Sequence, residues 1–222
     1  MTNVIQYQGR KARRAGSEQR RQAILEAALA IIIKDGIRSV RHRAVAREAD
    51  VPLSATTYYF KDISDLIADT FTLFAERALT EVIEPFKQKA FALLSEFSRE
   101  SLADPEQRKQ MVMLIGQMLS SFIIDEFEQR REHVVAEHAF LQEAARDDRL
   151  RDLADLYLRQ QLESLHIATE LLGSSNPRLD AELILSSMMT LEQRLLVHPE
   201  NAHAEYVEAR LCNLVDKLLP HG

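Results

Sequence analysis

Residues 41–66 read RHRAVAREADVPLSATTYYFKDISDL and carry the clearest structural signal in the chain. Small and apolar residues recur at helical spacing until Asp50 and Pro52 interrupt the pattern, and a second short helical run follows. Aspartate tolerates the left-handed backbone conformation that a tight turn between helices often needs. The stretch therefore predicts two short helices, at about 41–49 and 53–59, joined by a tight turn.

Helical periodicity continues on both sides of this stretch. Upstream, apolar residues follow Ser17, a candidate N-cap, until Gly36 ends the pattern. Downstream, a long helix capped by Asp62 or Ser64 is expected to run to Pro85. With only six glycines and six prolines, the chain is predicted to be all-α. Further helices are expected at about 86–101, 106–146 with a break, 149–172, 179–197 and 202–219.

Charge is distributed unequally along the chain. Residues 1–61 contain 12 Lys and Arg against 5 Asp and Glu, whereas the rest of the chain contains 16 against 29. A basic end on an acidic body suits a protein that binds phosphates at that end. We expect a flexible basic arm at 1–16, a helix-turn-helix DNA-binding domain at 17–62 and a helical domain at 63–222.

Bulk properties argue against several classes of protein. No apolar run approaches the roughly 18 residues that span a bilayer, and no apolar stretch follows the basic N-terminal residues as in a signal peptide. The single cysteine, Cys212, cannot form an internal disulfide, which suits a reducing compartment. We therefore expect a cytoplasmic protein with no membrane partner.

Motifs for catalysis are weak. No Gly-rich phosphate loop occurs. Glu163 with His166, and Glu200 with His203, have the Glu-x-x-His spacing of di-iron helical bundles. Such sites need paired motifs and two further inward-facing glutamates, and the second pair lies beside a Pro/Asn break. We expect no enzyme activity, no metal and no cofactor.

The segment at residues 45–66 resembles the DNA-binding domain of the TetR family of bacterial transcriptional regulators. It is most similar to members whose recognition helix reads VPL-small-x-TTYYF. The resemblance covers about the first third of the chain, and the remainder matches only in layout. It implies an N-terminal three-helix helix-turn-helix domain and a larger C-terminal helical domain for effector binding and dimerisation. Two positions depart from the family pattern, since Asp50 stands where Gly is usual and Ile63 where Lys is common.

By position, the resemblance assigns Leu53, Ser54 and Thr57 to base edges in the major groove. Short hydroxyl side chains let a helix approach closely and can donate to or accept from bases, and a leucine can contact a thymine methyl group. The residues assigned to DNA phosphates are His42, Arg43, Tyr58 and Tyr59, and Lys61 is expected to replace the Lys missing at position 63. For the two tyrosines, packing under the fourth helix is the alternative.

Other basic residues near the N-terminus have more than one interpretation. Arg13 and Arg14 in the arm are expected to follow the DNA backbone or to enter a minor groove. A solvated tail without defined contacts is the alternative. Arg20 and Arg21, on the first helix, are expected to face solvent.

The body offers candidate residues for effector binding and dimerisation. The two C-terminal amphipathic helices either cap the core of one chain or form half of an intermolecular four-helix bundle, and the sequence leaves both open. A bundle would use Leu183, Met188, Leu191, Val207, Leu211, Leu214 and Leu218. An apolar effector cavity is expected to be bordered by several of Met111, Met118, Phe122, Phe127, Tyr157 and His166.

Together these features predict a ligand-responsive DNA-binding transcriptional regulator. We expect a repressor that binds an inverted-repeat operator in double-stranded DNA as a homodimer, with a small-molecule effector that changes the spacing of the two DNA-binding heads. Two alternatives are an all-helical protein-interaction module with a basic head and a di-metal helical enzyme. The sequence does not identify the effector, the operator, the target genes or the direction of control.

Overall fold

The computed structural model describes residues 7, 15–97 and 103–219. As predicted, the regular structure in these ranges is helical, and they contain no strand. A π-helical segment, Ala78–Ile83, separates the fourth and fifth α-helices. The α-helices of the described ranges are α1 (Ala15–Asp35), α2 (His42–Glu48), α3 (Leu53–Tyr59), α4 (Ile63–Arg77), α5 (Glu84–Leu94), α6 (Pro105–Gln129), α7 (Arg131–Ala144), α8 (Asp148–Leu171), α9 (Pro177–Val197) and α10 (Ala204–Leu218). Of these, none is long and apolar enough to span a membrane.

The observed helix boundaries confirm most predicted ones and correct two. The predicted break within 106–146 lies at Arg130, whose backbone leaves the helical region (φ −133°, ψ 35°). The α1 helix begins at Ala15, so Ser17 lies inside it and is not its N-cap. The helical path also does not stop at Pro85, which occupies the first turn of α5. A proline in a first turn has no intrahelical hydrogen bond to lose.

The chain divides into two compact units, and the first contains residues 1–79 and 135–157. Its core contains α4, where Phe71 stacks on Phe140 with ring centroids 4.7 Å apart. Arg149 places a guanidinium nitrogen 2.8 Å from Asp65 in the first turn of α4. The segment at 135–157 therefore packs on α4 in the same unit as α1, α2 and α3. The functional boundary predicted at residue 62 stays a prediction.

The second unit contains residues 80–134 and 158–222. In it α10 packs closely on α6, and Gly116 of α6 lies against Cys212 of α10. A Cβ atom added there would lie 2.2 Å from Cys212 Sγ and 3.1 Å from Cys212 Cα, so a larger residue would require the sulfur to move and the facing backbone to shift slightly. Arg108 bonds to the C-terminal part of α10, with its Nη1 atom 2.6 Å from Asp216 Oδ1.

This packing corrects part of the predicted dimer interface. Met188, Leu191, Val207 and Leu211 are all buried within a single chain, in the core of the second unit. Their apolar area is removed from water without a second chain, so for these residues the two helices cap an internal core. The other three predicted interface residues remain more accessible, because Leu183 is exposed and Leu214 and Leu218 are half-buried.

Candidate nucleic-acid interface and effector cavity

The turn between α2 and α3 is closed by two backbone hydrogen bonds. The Val51 N–H donates to the Ala46 carbonyl at 2.9 Å, and the Asp50 N–H donates to the Arg47 carbonyl at 3.3 Å. This pair of bonds satisfies carbonyl groups at a helix end when the residue after the cap is left-handed. Asp50 has φ 50°, which confirms the backbone conformation predicted for it.

One face of α3 is left in water. Leu53 is 43% exposed and Tyr58 is 55% exposed, and Ser54 and Thr57 are exposed beside them. The Thr57 hydroxyl donates to the Ser54 carbonyl at 3.3 Å, so its oxygen can still accept a hydrogen bond. All four residues were predicted to contact DNA, and α3 presents them together.

Tyr59 lies on the opposite face of α3. It is only 5% exposed, and its hydroxyl oxygen lies 2.7 Å from Ser17 Oγ on α1. Consecutive residues of a helix point about 100° apart, which explains how Tyr58 faces water while Tyr59 faces α1. The phosphate contact predicted for Tyr59 is therefore corrected to a core position with a satisfied hydroxyl group.

The other residues predicted to contact phosphates differ in accessibility. Arg43 on α2 and Lys61 after α3 are exposed. His42, at the start of α2, is half-buried, with its Nδ1 atom enclosed. Arg13 and Arg14 lie outside the described residues.

A buried ion pair connects α1 to α4. Arg21 is 3% exposed and places a guanidinium nitrogen 2.5 Å from Oδ2 of Asp69, which is fully buried. The Tyr7 ring centroid lies 4.5 Å from the Arg21 guanidinium carbon, and the Tyr7 hydroxyl donates to Glu76 at 2.6 Å. Burial, followed by the bond to Glu76, raises the pKa of Tyr7 far above its ordinary value. Arg21 was expected to face solvent, and the structure corrects this.

The second unit contains an apolar cavity whose wall includes residues of α5, α6, α8 and α9. The cavity itself has a volume of about 60 Å³, and the empty space between the lining side chains, including the part open to solvent, is about 520 Å³. Phe86 and Phe122 meet in its wall with ring centroids 4.4 Å apart. The polar lining side chains are Lys87, Gln161 and Ser164, and the other lining residues are Ile83, Ala90, Phe91, Leu165, Ala168, Leu185 and Met188.

Of the six residues predicted to border an effector cavity, only Phe122 lines this one. Tyr157 is fully buried in the first unit, where it donates to Glu137 at 2.7 Å. Met111 is buried in the apolar core of the second unit. Helical spacing shows which side chains point inward, but a gap forms only where several helices fail to fill it. The three other predicted residues outside this wall are Met118, Phe127 and His166.

A groove lies between α9 and α10 on the second unit. Leu183 and Leu214 border it together with polar side chains that include Thr190, Arg194 and Lys217. The described ranges contain no group of three or more His, Cys, Asp or Glu placed to hold a metal ion.

Solved structures of transcriptional regulators share this fold. A TetR transcription regulator from Haloarcula marismortui superimposes with a TM-score of 0.65 at 14% identity, covering 91% of this chain and 100% of that chain. A TetR family member from Streptomyces coelicolor A3 gives 0.61 at 23% identity, covering 91% and 99%. The multidrug binding protein EbrR complexed with ethidium gives 0.62 at 24% identity, covering 88% and 98%.

Comparisons based on sequence give no such match. No protein-family model matches the chain, and no curated protein sequence is significantly similar to it. The structural likeness at these identities concerns the fold. The chain therefore has the all-α fold of solved TetR-family regulators, with an N-terminal helix-turn-helix domain and a larger C-terminal helical domain.

Proposed function

We propose that this chain is a ligand-responsive, DNA-binding transcriptional regulator of the TetR type, acting as a repressor. The observation that carries the proposal is the exposed face of α3, which keeps Leu53 and Tyr58 in water directly after a helix-turn-helix turn. Large apolar side chains grouped on a surface usually mark a binding site. An α-helix fits the major groove of DNA, where each base pair presents a distinct pattern of donors and acceptors.

We assign some residues of α3 to base contacts, and residues of α2, of α3 and of the segment after α3 to phosphate contacts. Ser54 and Thr57 exchange hydrogen bonds with base edges, and Leu53 contacts a thymine methyl group. Tyr58, Arg43 and Lys61 bind phosphates, which fixes the position of the helix without reading sequence. The arm residues Arg13 and Arg14 add backbone or minor-groove contacts.

A homodimer on an inverted repeat is the assembly we propose. Leu179 and Leu183 on α9 are 59% and 50% exposed, and Leu183 borders the groove between α9 and α10. A two-fold axis would bring this surface against its own copy, where Leu214 and Leu218 could complete the burial. Two heads related in this way bind half-sites about one helical turn apart.

The cavity of the second unit is the proposed effector site. EbrR, which shares the fold, has been solved with ethidium and with proflavin. A ligand that binds one spacing of the two heads more tightly shifts the population towards that spacing. A spacing that no longer matches the half-sites releases the operator, so the effector relieves repression.

Binding to selected and to scrambled duplexes tests the proposal. An operator is first selected from random DNA, and fluorescence anisotropy then measures both duplexes at several salt concentrations. The protein should prefer the operator, and affinity for both duplexes should fall as salt rises. Equal affinity for the two duplexes would contradict the proposal and leave a basic head that binds polyanions in general.

Paired variants then separate base from phosphate contacts. Thr57→Val keeps the shape but loses the hydroxyl, so it should cost about 1–3 kcal/mol on the operator with less effect on scrambled DNA. Tyr58→Phe should weaken both duplexes together, with little change in their ratio. Ser95→Ala is the control, because Ser95 is also an exposed hydroxyl residue that donates to a backbone carbonyl, at 2.7 Å, and it borders neither the groove nor the cavity.

A further inference from the structure

We infer that the cavity of the second unit takes an apolar, ring-containing ligand that carries one anionic group, and that Lys87 pairs with this group. The inference rests on the proposed ligand-responsive function and adds the chemical class of the effector. It follows from the charges of the cavity wall, from the position of Lys87 and from the aromatic side chains beside it.

The fixed charge of the wall is positive. Among the described lining residues Lys87 is the one with an ionised side chain. The amide of Gln161 and the hydroxyl of Ser164 are neutral, and each can both donate and accept hydrogen bonds. A cationic ligand would meet the like charge of Lys87, and the carboxylate that pairs with this lysine, Glu84, is 49% exposed and does not line the cavity. An anionic ligand would instead find its counter-charge in the wall.

Lys87 is placed to exchange its present partner for such an anion. Its Nζ lies 3.3 Å from Glu84 Oε2, one turn earlier on α5, and the two side chains are 35% and 49% exposed. Exposed ion pairs of this kind contribute little, so a ligand anion can replace Glu84, whose carboxylate then returns to water. The aliphatic stem of Lys87 can lie along the apolar wall while its ammonium group reaches the anion.

The remaining wall suits a flat ring system. Phe86 and Phe122 are tilted by 45° at a centroid distance of 4.4 Å, and Phe91 also lines the space. Aromatic rings pack favourably against such edges and faces. Gln161 also lines the space and is only 8% exposed, so the wall includes one buried amide among its apolar side chains.

Two dyes with related ring systems test the charge preference. 1-Anilinonaphthalene-8-sulfonate carries an anion, and N-phenyl-1-naphthylamine has the same rings without it. Fluorescence titration of the full chain should show the sulfonate binding at least about tenfold more tightly than the neutral dye, as expected for a hydrogen bond to a charged group. Ethidium, a planar cation, should bind more weakly than both. A cation that binds as tightly as the sulfonate would overturn the inference.

Two lysines on α5 supply a matched pair of variants. Lys87→Met should weaken sulfonate binding about 10- to 100-fold and change neutral-dye binding by less than about twofold, because it removes a charged partner but keeps the apolar stem. Lys89→Met is the control, since Lys89 is exposed on the same helix and does not line the cavity. Equal effects of the two substitutions would show that Lys87 does not recognise the anion.

Filling the cavity shows whether the dyes bind there. Ala168→Phe and Ala90→Phe place a ring in the space from two different helices, and each should abolish binding of both dyes. Sulfonate binding that survives in both folded variants would place the dye elsewhere and overturn the inference. Operator binding by the parent protein is measured separately. Its loss would end the proposed function, whereas operator binding with no charge preference in the cavity would end only this inference.

Discussion

The α3 and α10 helices are both amphipathic, but their large apolar side chains have different surroundings. In α10, Val207 and Leu211 are fully buried in the core that α6 and α9 complete. In α3, Leu53 and Tyr58 remain about half exposed. Amphipathic spacing alone does not distinguish these two cases. What distinguishes them is whether another helix of the same unit covers the apolar side chains. The exposed face of α3 is therefore the proposed DNA contact, whereas the face of α10 that carries Val207 and Leu211 is part of the core.

The largest effect should come from the buried ion pair between Arg21 on α1 and Asp69 on α4. Asp69→Ala removes the buried carboxylate partner of the Arg21 guanidinium and leaves the exposed Glu18 carboxylate 3.4 Å away, so we expect a loss of about 3–5 kcal/mol in the free energy of unfolding. Urea denaturation followed by circular dichroism measures it. The double variant Arg21→Met with Asp69→Leu should recover much of the loss, since it replaces both charges with apolar groups of similar size. Parent-like stability of Asp69→Ala would show that the fold does not depend on this ion pair.

A direct contrast between the two helices comes from trimming one leucine in each. Leu211→Ala removes a fully buried side chain from the second unit and should cost about 2–5 kcal/mol of stability. Leu53→Ala removes an exposed one and should change stability by less than about 0.5 kcal/mol. Operator affinity should instead fall for Leu53→Ala. If both substitutions were equally destabilising, the outer face of α3 would be part of a core.

The two neighbouring tyrosines give a finer version of this contrast. Tyr59→Phe removes the hydroxyl that pairs with Ser17 and should cost about 0.5–1.5 kcal/mol of stability. Tyr58→Phe should lower the melting temperature less than Tyr59→Phe does, because the Tyr58 side chain is 55% exposed. Thermal melts should therefore show the larger loss of stability for Tyr59→Phe, whereas DNA titrations should show the larger loss of affinity for Tyr58→Phe. Tyr58→Phe destabilising the fold more than Tyr59→Phe would reverse our assignment of the two faces.

The smallest expected effect is at the turn that orients α3. Asp50 is left-handed, and this conformation costs a non-glycine residue about 1–2 kcal/mol, less for Asp than for most. Asp50→Gly should therefore be neutral or stabilising by up to about 1 kcal/mol, with the extra backbone entropy of glycine offsetting part of the gain. Asp50→Ala should be destabilising. Stability measured for both variants checks the sign, and a stabilising alanine would argue against a left-handed Asp50.

Features that depend on neighbouring residues were predictable from the sequence. The left-handed turn at Asp50 follows from local chemistry, as does the start of α4, where the Asp62 side chain accepts from the Asp65 N–H at 2.8 Å. The end of α1 before Gly36 is local in the same sense. The break within 106–146 was predicted without a position, and the structure places it at Arg130. Such signals act within one helical turn, so they can be read without the rest of the fold.

Features that depend on distant residues were not predictable in this way. Arg21 and Asp69 are 48 positions apart, and the sequence around each residue does not indicate that the other is its partner. Helical spacing gives an inward direction to Met111 and to Phe122 alike, yet only Phe122 reaches the cavity. The inward face of α10 is predictable, but the helix that covers it is not. Tertiary packing alone specifies these pairings.

The close crossing of α6 and α10 at Gly116 places a thiol where its labelling rate can be used to measure local opening. Cys212 is the single thiol of the chain, and its sulfur occupies the space that glycine leaves between α6 and α10. Burial, with a contribution from Glu208, raises the pKa of the Cys212 thiol. Cys212 is half-buried, so a thiol reagent would label it at a basal rate, and local opening of this crossing would raise that rate. The labelling rate of Cys212, measured with and without a ligand in the proposed effector cavity, would then show how much the ligand suppresses opening of the second unit at this crossing.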